Sequence, residues 1–322
     1  MTDGPGSASR SPPSRALVLA AFAALYVIGG STFLGQRYVM HGGFTAFTAS
    51  GLRMLLAGSI MLVWLLARGV PLAPRRAWPD LAISGTFLFV GGNAMSMIAS
   101  GSVDSGLVAL LTATAPFWLT IGAAQLPGGE RPSAAGVLGI LLGFVGLAVI
   151  ISPGMNGGGS AAGVLAASVS PICWAVGGLW ARQRLPGLPA MTIASHQMLF
   201  GTVPLLAIGL VRGEWAGLHP EPSAFVALGY LVVCGNLISY NSFVFLMAHV
   251  PAAKASTYAY VNPVIAVLLG WWLADEHISS RGLVGAAAIL TGVVLVNLAH
   301  VYRRAERARD AAALTGAARR LE

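Results

Sequence analysis

The residues of this chain that could do chemistry are binding groups rather than reacting ones. Tyr258, Tyr260 and Asn262 come just before Pro263, and positions 258 and 262 share one helical face. Asn236 and Tyr240 repeat the four-residue spacing, as do Asn93 and Met97. Trp174 stands in the middle of an apolar run, and Tyr26 and Ser31 lie in another. Hydroxyls and amides hydrogen-bond a ligand. An indole stacks on an aromatic ring or holds a cation against its face. Methionine suits a permissive pocket. Each also has a plainer reading, because Asn and Tyr hydrogen-bond helices to each other inside membranes, and Met packs in cores.

Arg53 is the one arginine well inside an apolar run. A charge there is costly and usually paired or functional. No acid lies in the core of any run, so its expected partners are backbone carbonyls freed at broken helices, or a substrate carboxylate. Arg53 is thus a structural clamp or an anion site. His196 is the proton-sensing candidate, and Lys254, near the end of a run, is expected to snorkel. No HExxH, CxxC, phosphate loop or intramembrane carboxylate pair is present. The reading is therefore not an enzyme: no catalytic residue, no metal, no cofactor. Glu130 and Glu276 echo each other at the ends of runs, where they cap helices or mark the fold.

The elements that must position these groups are membrane spans. Of 322 residues, 56% are hydrophobic and 9% charged, against about 25% charged in soluble domains. Ten apolar runs of bilayer length follow one another: 16–36, 44–67, 80–100, 105–126, 133–152, 161–181, 190–211, 223–248, 253–274 and 281–302. The first is too long for a signal h-region and more spans follow it. Residues 1–15 are rich in Ser, Pro and Gly and read as a disordered cytoplasmic N-terminus. Cys173 and Cys234 lie within spans and read as free thiols.

Anchors recur at a fixed distance. Val103, Pro116 and Gln36-Arg37 return 147 positions later as Val250, Pro263 and Gln183-Arg184. Gly139 and Gly146 return 146 positions later as Gly285 and Gly292. This argues for an internal duplication, with five-span units at 16–152 and 161–302 and a basic tail at 303–322. Five is odd, so the two units enter the membrane from opposite sides. The expected fold is an all-α membrane protein of ten transmembrane helices in an inverted five-plus-five repeat. Pro263 and Pro116 cannot donate to the carbonyl four residues back. Each is expected to kink its span at mid-depth and to act in gating, with the two unwound turns meeting. The glycine stripes of spans five and ten allow close helix approach, to a neighbouring span or to a second protomer in a homo-oligomer.

Basic residues sit in segments 10–15, 68–76, 182–184 and 303–320, while the alternate loops hold Arg37, Arg212 and Arg281. The positive-inside rule then puts both termini in the cytoplasm. The formal charge of +8 reads as this topology signal, with the lipid bilayer and not nucleic acid as the partner. The basic tail reads as a short cytoplasmic helix on the membrane surface, or as a frayed coil.

The chain resembles the EamA-like transporters of the drug/metabolite transporter superfamily, and within it the YedA-type inner-membrane exporters. The likeness covers residues 16–300. It is carried by Ala24–Thr32, Gly51–Gly58, Gly91-Gly92-Asn93, and Ser256–Pro263 with Glu276. Gly29 stands where the family usually has Trp, and Lys254 where a small or aliphatic residue is usual. The resemblance implies location in a bacterial inner membrane and export of small metabolites. Substrates of relatives include amino acids, aromatic ones among them, and organic cations.

Overall fold

The computed structural model describes residues 14–126, 132–151, 160–250, 257–276 and 279–318. Glu130, Lys254 and residues 1–13 lie outside the described residues. Among the described residues ten helical rods follow in chain order and there is no strand. They are α1 (Arg15–His41), α2 (Ala46–Ala67), α3 (Arg75–Ser100), α4 (Ser105–Ala124), α5 (Ala134–Ile151), α6 (Ala161–Arg184), α7 (Ala190–Val211), α8 (Pro222–Tyr230, Leu231–Ser239 and Tyr240–His249), α9 (Tyr258–Ala274) and α10 (Ser280–Ala318). Eight are long and apolar enough to cross a membrane; α5 and α9 are shorter apolar helices. Large apolar side chains such as Val63, Val203, Leu210, Val226 and Trp271 are exposed outward, as a lipid solvent requires.

The rods are not uniform helices. Ala24–Ile28 in α1, Phe87–Ala94 in α3 and Leu231–Ser239 in α8 are π-helical. Such wide turns bond i to i+5 and rotate the residues after them relative to those before. Two of the three contain a Gly-Asn pair, Gly92-Asn93 and Gly235-Asn236.

The break expected at Pro116 is present, while Pro263 lies inside a helix. α4 is interrupted at Ala113–Thr114, and Ala115–Ala124 restarts with Pro116 in its first turn, where the missing N–H costs nothing. Pro263 lies within an unbroken helix that begins only at Tyr258. The carbonyl it leaves free, that of Ala259, sits in the first turn of that helix.

The glycine stripes are spent inside the chain. A methyl on Gly139 would stand 2.7 Å from the Gly292 carbonyl oxygen, and one on Gly146 would stand 2.6 Å from that of Gly285. As the number rises along α5 it falls along α10, so the two helices cross antiparallel, backbone against backbone. The first two rods join the rest through another tight contact. Gly43, at φ +93°, would place a Cβ 2.6 Å from the His219 carbonyl oxygen. Finally, α10 runs unbroken to Ala318, beyond the expected end of the span at 302.

Candidate functional site

The interior holds a polar layer built from the wide turns. Arg53, on α2, is buried, 6% exposed. Its Nε donates to Asn236 Oδ1 at 2.7 Å. This corrects the expectation of a backbone carbonyl partner: the clamp is a side-chain amide from α8, presented by the wide turn. The Asn236 amide nitrogen faces the sulfurs of Met54 and Met198 at 3.6 and 3.9 Å. The other end of the guanidinium lies against Gly235, where a Cβ would stand 3.1 Å from Nη2 and 3.1 Å from Thr32 Cγ2.

From Thr32 the layer continues along α1. Thr32 Oγ1 donates to the Gly29 carbonyl at 2.7 Å. Gly29 itself lies against the Asn262 side chain, whose amide nitrogen a Cβ there would displace. Ser31 Oγ donates to the Ile28 carbonyl at 2.9 Å and pairs with the Tyr230 hydroxyl. The Tyr26 hydroxyl pairs with Thr257 Oγ1. Tyr258 packs edge-on against Phe243 with ring centroids 5.4 Å apart, and Tyr240 lies on the other side of Phe243 at 6.5 Å. Tyr26 and Tyr258 border one small core cluster with Ala21, Leu25 and Leu246.

Trp174 belongs to a second group. It is 43% exposed. Its ring stacks edge-on against Phe89 at 6.5 Å and covers Gly92, where a Cβ would stand 2.5 Å from the indole. One residue on, Asn93 is buried with no hydrogen-bond partner for Oδ1. The carbonyl of Gly92, at the wide turn, accepts from Ser170 Oγ at 2.9 Å. Met97 is fully enclosed among Val39, Ala49 and Leu231. His196 also has both ring nitrogens engaged: Nδ1 donates to the Thr192 carbonyl at 2.8 Å, and Nε2 accepts from Ala73 N–H at 3.3 Å.

One further cluster lies at a single end of the bundle. Glu276, 5% exposed, accepts from Ser105 N–H (2.9 Å), Ser105 Oγ (3.0 Å) and Gly106 N–H (3.2 Å). Arg37 Nη1 lies 2.9 Å from Asp104 and 3.3 Å from Glu276. The ends of α1, α4 and α9 are thereby tied together. The sequence marked Glu276 as a cap or a fold marker; it gave no sign of which helix was capped, or of the ion pairs with Arg37. Phe89, Phe243, Tyr230 and Thr257 were also missed, since nothing in their local spacing sets them apart from core residues.

A polar layer of amides and hydroxyls inside an apolar bundle suits reversible binding, not bond-making. Among the described residues no group of His, Cys, Asp and Glu is placed to hold a metal. The EamA-like transporter family model matches the chain twice, at residues 15–152 and 161–298. The chain belongs to the EamA-like transporter family. It is 35% identical over 280 residues to the uncharacterized inner membrane transporter YedA of Escherichia coli K12, covering 86% of this chain and 90% of that one. It is 24% identical to the uncharacterized transporter YvbV of Bacillus subtilis, covering 77% and 81%. A solved structure titled only as a crystal structure of protein superposes with a TM-score of 0.62 at 22% identity, covering 88% of this chain and 99% of that one. That likeness concerns the fold. Of the stretches that carry the resemblance, Arg53 and Asn262 fall on the polar layer and Glu276 on the end cluster.

Proposed function

We propose that the protein is a secondary transporter of the bacterial inner membrane. It exports small metabolites by alternating access: amino acids, aromatic ones included, and related amphipathic or cationic compounds. Ten spans form an inverted five-plus-five repeat, both termini are cytoplasmic, and the polar layer is the substrate site.

The observation that supports this reading most is the crossing of α5 and α10. Under the 146-residue repeat, Gly139 corresponds to Gly285 and Gly146 to Gly292. The contact of Gly139 with Gly292 is exchanged by the repeat for that of Gly285 with Gly146, and both are made. Because the helices run antiparallel, a two-fold axis through their crossing inverts one unit relative to the other. Such a repeat allows two packings of similar energy related by exchange of the halves, which is what alternating access needs.

In this reading the Arg37, Asp104 and Glu276 cluster closes the outer end, and Pro116 and Pro263 act in gating. Tyr26, Ser31, Asn93, Trp174, Asn236, Tyr240, Tyr258 and Asn262 supply the surfaces a substrate meets, and Met97 those of a shifted packing. Counterflow in proteoliposomes tests the reading. Saturable uptake of labelled amino acid or lipophilic cation, driven by internal unlabelled compound, is expected. Uptake that neither saturates nor responds to internal compound indicates a pore and would sink it.

A further inference from the structure

α4 is a rod in two parts, and the parts differ in what they touch. The outer part, Ser105–Thr112, is clamped to α9. A Cβ on Gly106 would stand 3.0 Å from Val267 Cγ2 and 3.1 Å from Val267 Cα, and one on Gly270 would stand 3.1 Å from Ser105 Oγ. Glu276 caps this part from beyond the end of α9, and Arg37 of α1 reaches both Asp104 and Glu276. Six of its eight residues are buried. The inner part, Ala115–Ala124, leaves α9 and packs on α6, where a Cβ on Gly122 would meet Leu179 Cδ1 at 2.6 Å. Two of its ten residues are buried, Phe117 and Thr120. A rod that merely faced lipid would show one exposed stripe along its whole length; this one is enclosed at one end and bared at the other.

α9 is bared over the same depth. Counted inward from the contact of Gly106 with Val267, Ala115 and Tyr258 lie level, and the turn Tyr258–Asn262 is half-buried throughout. Its polar side chains, Tyr258, Tyr260 and Asn262, face protein or water rather than lipid. α9 is also fastened to α1 along its length. A Cβ on Gly30 would stand 2.6 Å from Ile265 Cβ, and the Tyr38 hydroxyl donates to the Leu273 carbonyl at 3.1 Å. The inner separation therefore runs between α1 with α9 on one side and α6 with the inner part of α4 on the other. The break at Ala113–Thr114 is the joint, since the α-helical ladder is interrupted there and element ends absorb the backbone change of a hinge.

We propose that Ser105–Thr112 is a lid hinged at Ala113–Thr114, and that the substrate-free protein rests with this lid shut on α9 and its inner end open to the cytoplasm. This rests on the transport reading and orientation above; an exporter resting so is loaded from the side that holds its substrate. A Cβ on Gly106 would stand 3.5 Å from Val267 Cβ, within disulfide range. In the full chain with Cys173→Ser and Cys234→Ser, the pair Gly106→Cys and Val267→Cys should cross-link under copper phenanthroline. Exchange in proteoliposomes should then stop, and return with dithiothreitol. In the same background without the pair, Tyr260→Cys should react with a membrane-impermeant maleimide about tenfold faster or more in inside-out than in right-side-out vesicles. Adding Arg37→Gln, which weakens the lock, should raise the outside rate. A pair that does not cross-link, or that cross-links without loss of exchange, overturns the lid. Tyr260→Cys labelling that is equal from both sides, faster from outside, or absent overturns the resting state. Should the pair fail to fold, the labelling of Tyr260→Cys decides alone. Cross-linking and cytoplasmic labelling without exchange in the reduced protein overturn the transport reading and leave the shut outer end standing.

Discussion

Glu276 caps the helix that begins at Ser105, accepting from its backbone N–H at 2.9 Å across 171 positions of sequence. The first N–H groups of a helix have no partner within it, and a carboxylate there also meets the positive end of the helix dipole. Asp104 is the N-cap residue, yet its side chain makes no cap hydrogen bond; it faces Arg37 instead. The cap is therefore a tertiary contact, and it locks α9 to α4.

We predict that Glu276→Ala lowers stability by about 1–3 kcal/mol, the usual cost of orphaning buried donors. Glu276→Gln, which keeps one acceptor oxygen, should cost less. Thermal unfolding in detergent, followed by tryptophan fluorescence, measures this. Equal midpoints for wild type and Glu276→Ala would remove the cap from the account.

Trp174 rests on Gly92, so any side chain at 92 must move the indole. Trp174→Ala and Gly92→Ala should both weaken aromatic or cationic substrates more than aliphatic ones. The expected difference is about tenfold for a loss near 1.4 kcal/mol. Competition assays against one labelled substrate give the ranking. An equal loss for every substrate would take Trp174 out of the site.

The α5–α10 crossing predicts that bulk is tolerated at neither face. Gly139→Leu and Gly292→Leu should each destabilise by about 1–3 kcal/mol or more, the cost of overpacking, because the opposing atoms are backbone. Gly136, whose nearest neighbours stand at 3.5 Å or beyond, serves as the control. If Gly136→Leu proved as damaging as Gly139→Leu, the crossing would not be the cause.

For topology, single cysteines at Ser160 and Ala318 should label from opposite sides of the membrane, with the Ala318 side cytoplasmic. Labelling from one side would mean an odd number of crossings has been misassigned.

Coupling follows from the lack of an acid in the core of any apolar run. Exchange is expected to persist when the proton gradient is collapsed. His196→Ala should lower the unfolding midpoint, because it strips Ala73 N–H of its acceptor, while leaving exchange independent of the gradient. Concentrative transport that dies with the gradient and survives in His196→Ala contradicts this.

What the sequence determined by itself was set by rules that act locally. Apolar runs of bilayer length mark spans because lipid cannot satisfy a bare backbone, and Pro116, Pro263 and the paired glycines kept the record of a duplication. Arg53 was legible as anomalous for the same reason, since a charge in an apolar run is conspicuous wherever it goes. Its partner was not legible: Asn236 lies 183 positions away, and any carbonyl or amide would have satisfied the rule. Four-residue spacing did not show that Met97 is enclosed in the core, nor that a wide turn ends at Ala94 between the two residues. The glycine stripes announced a close contact but could not name the partner. Only the tertiary structure put α10 there, because helix contacts in lipid depend on which surfaces fit, and fit is a property of two helices at once.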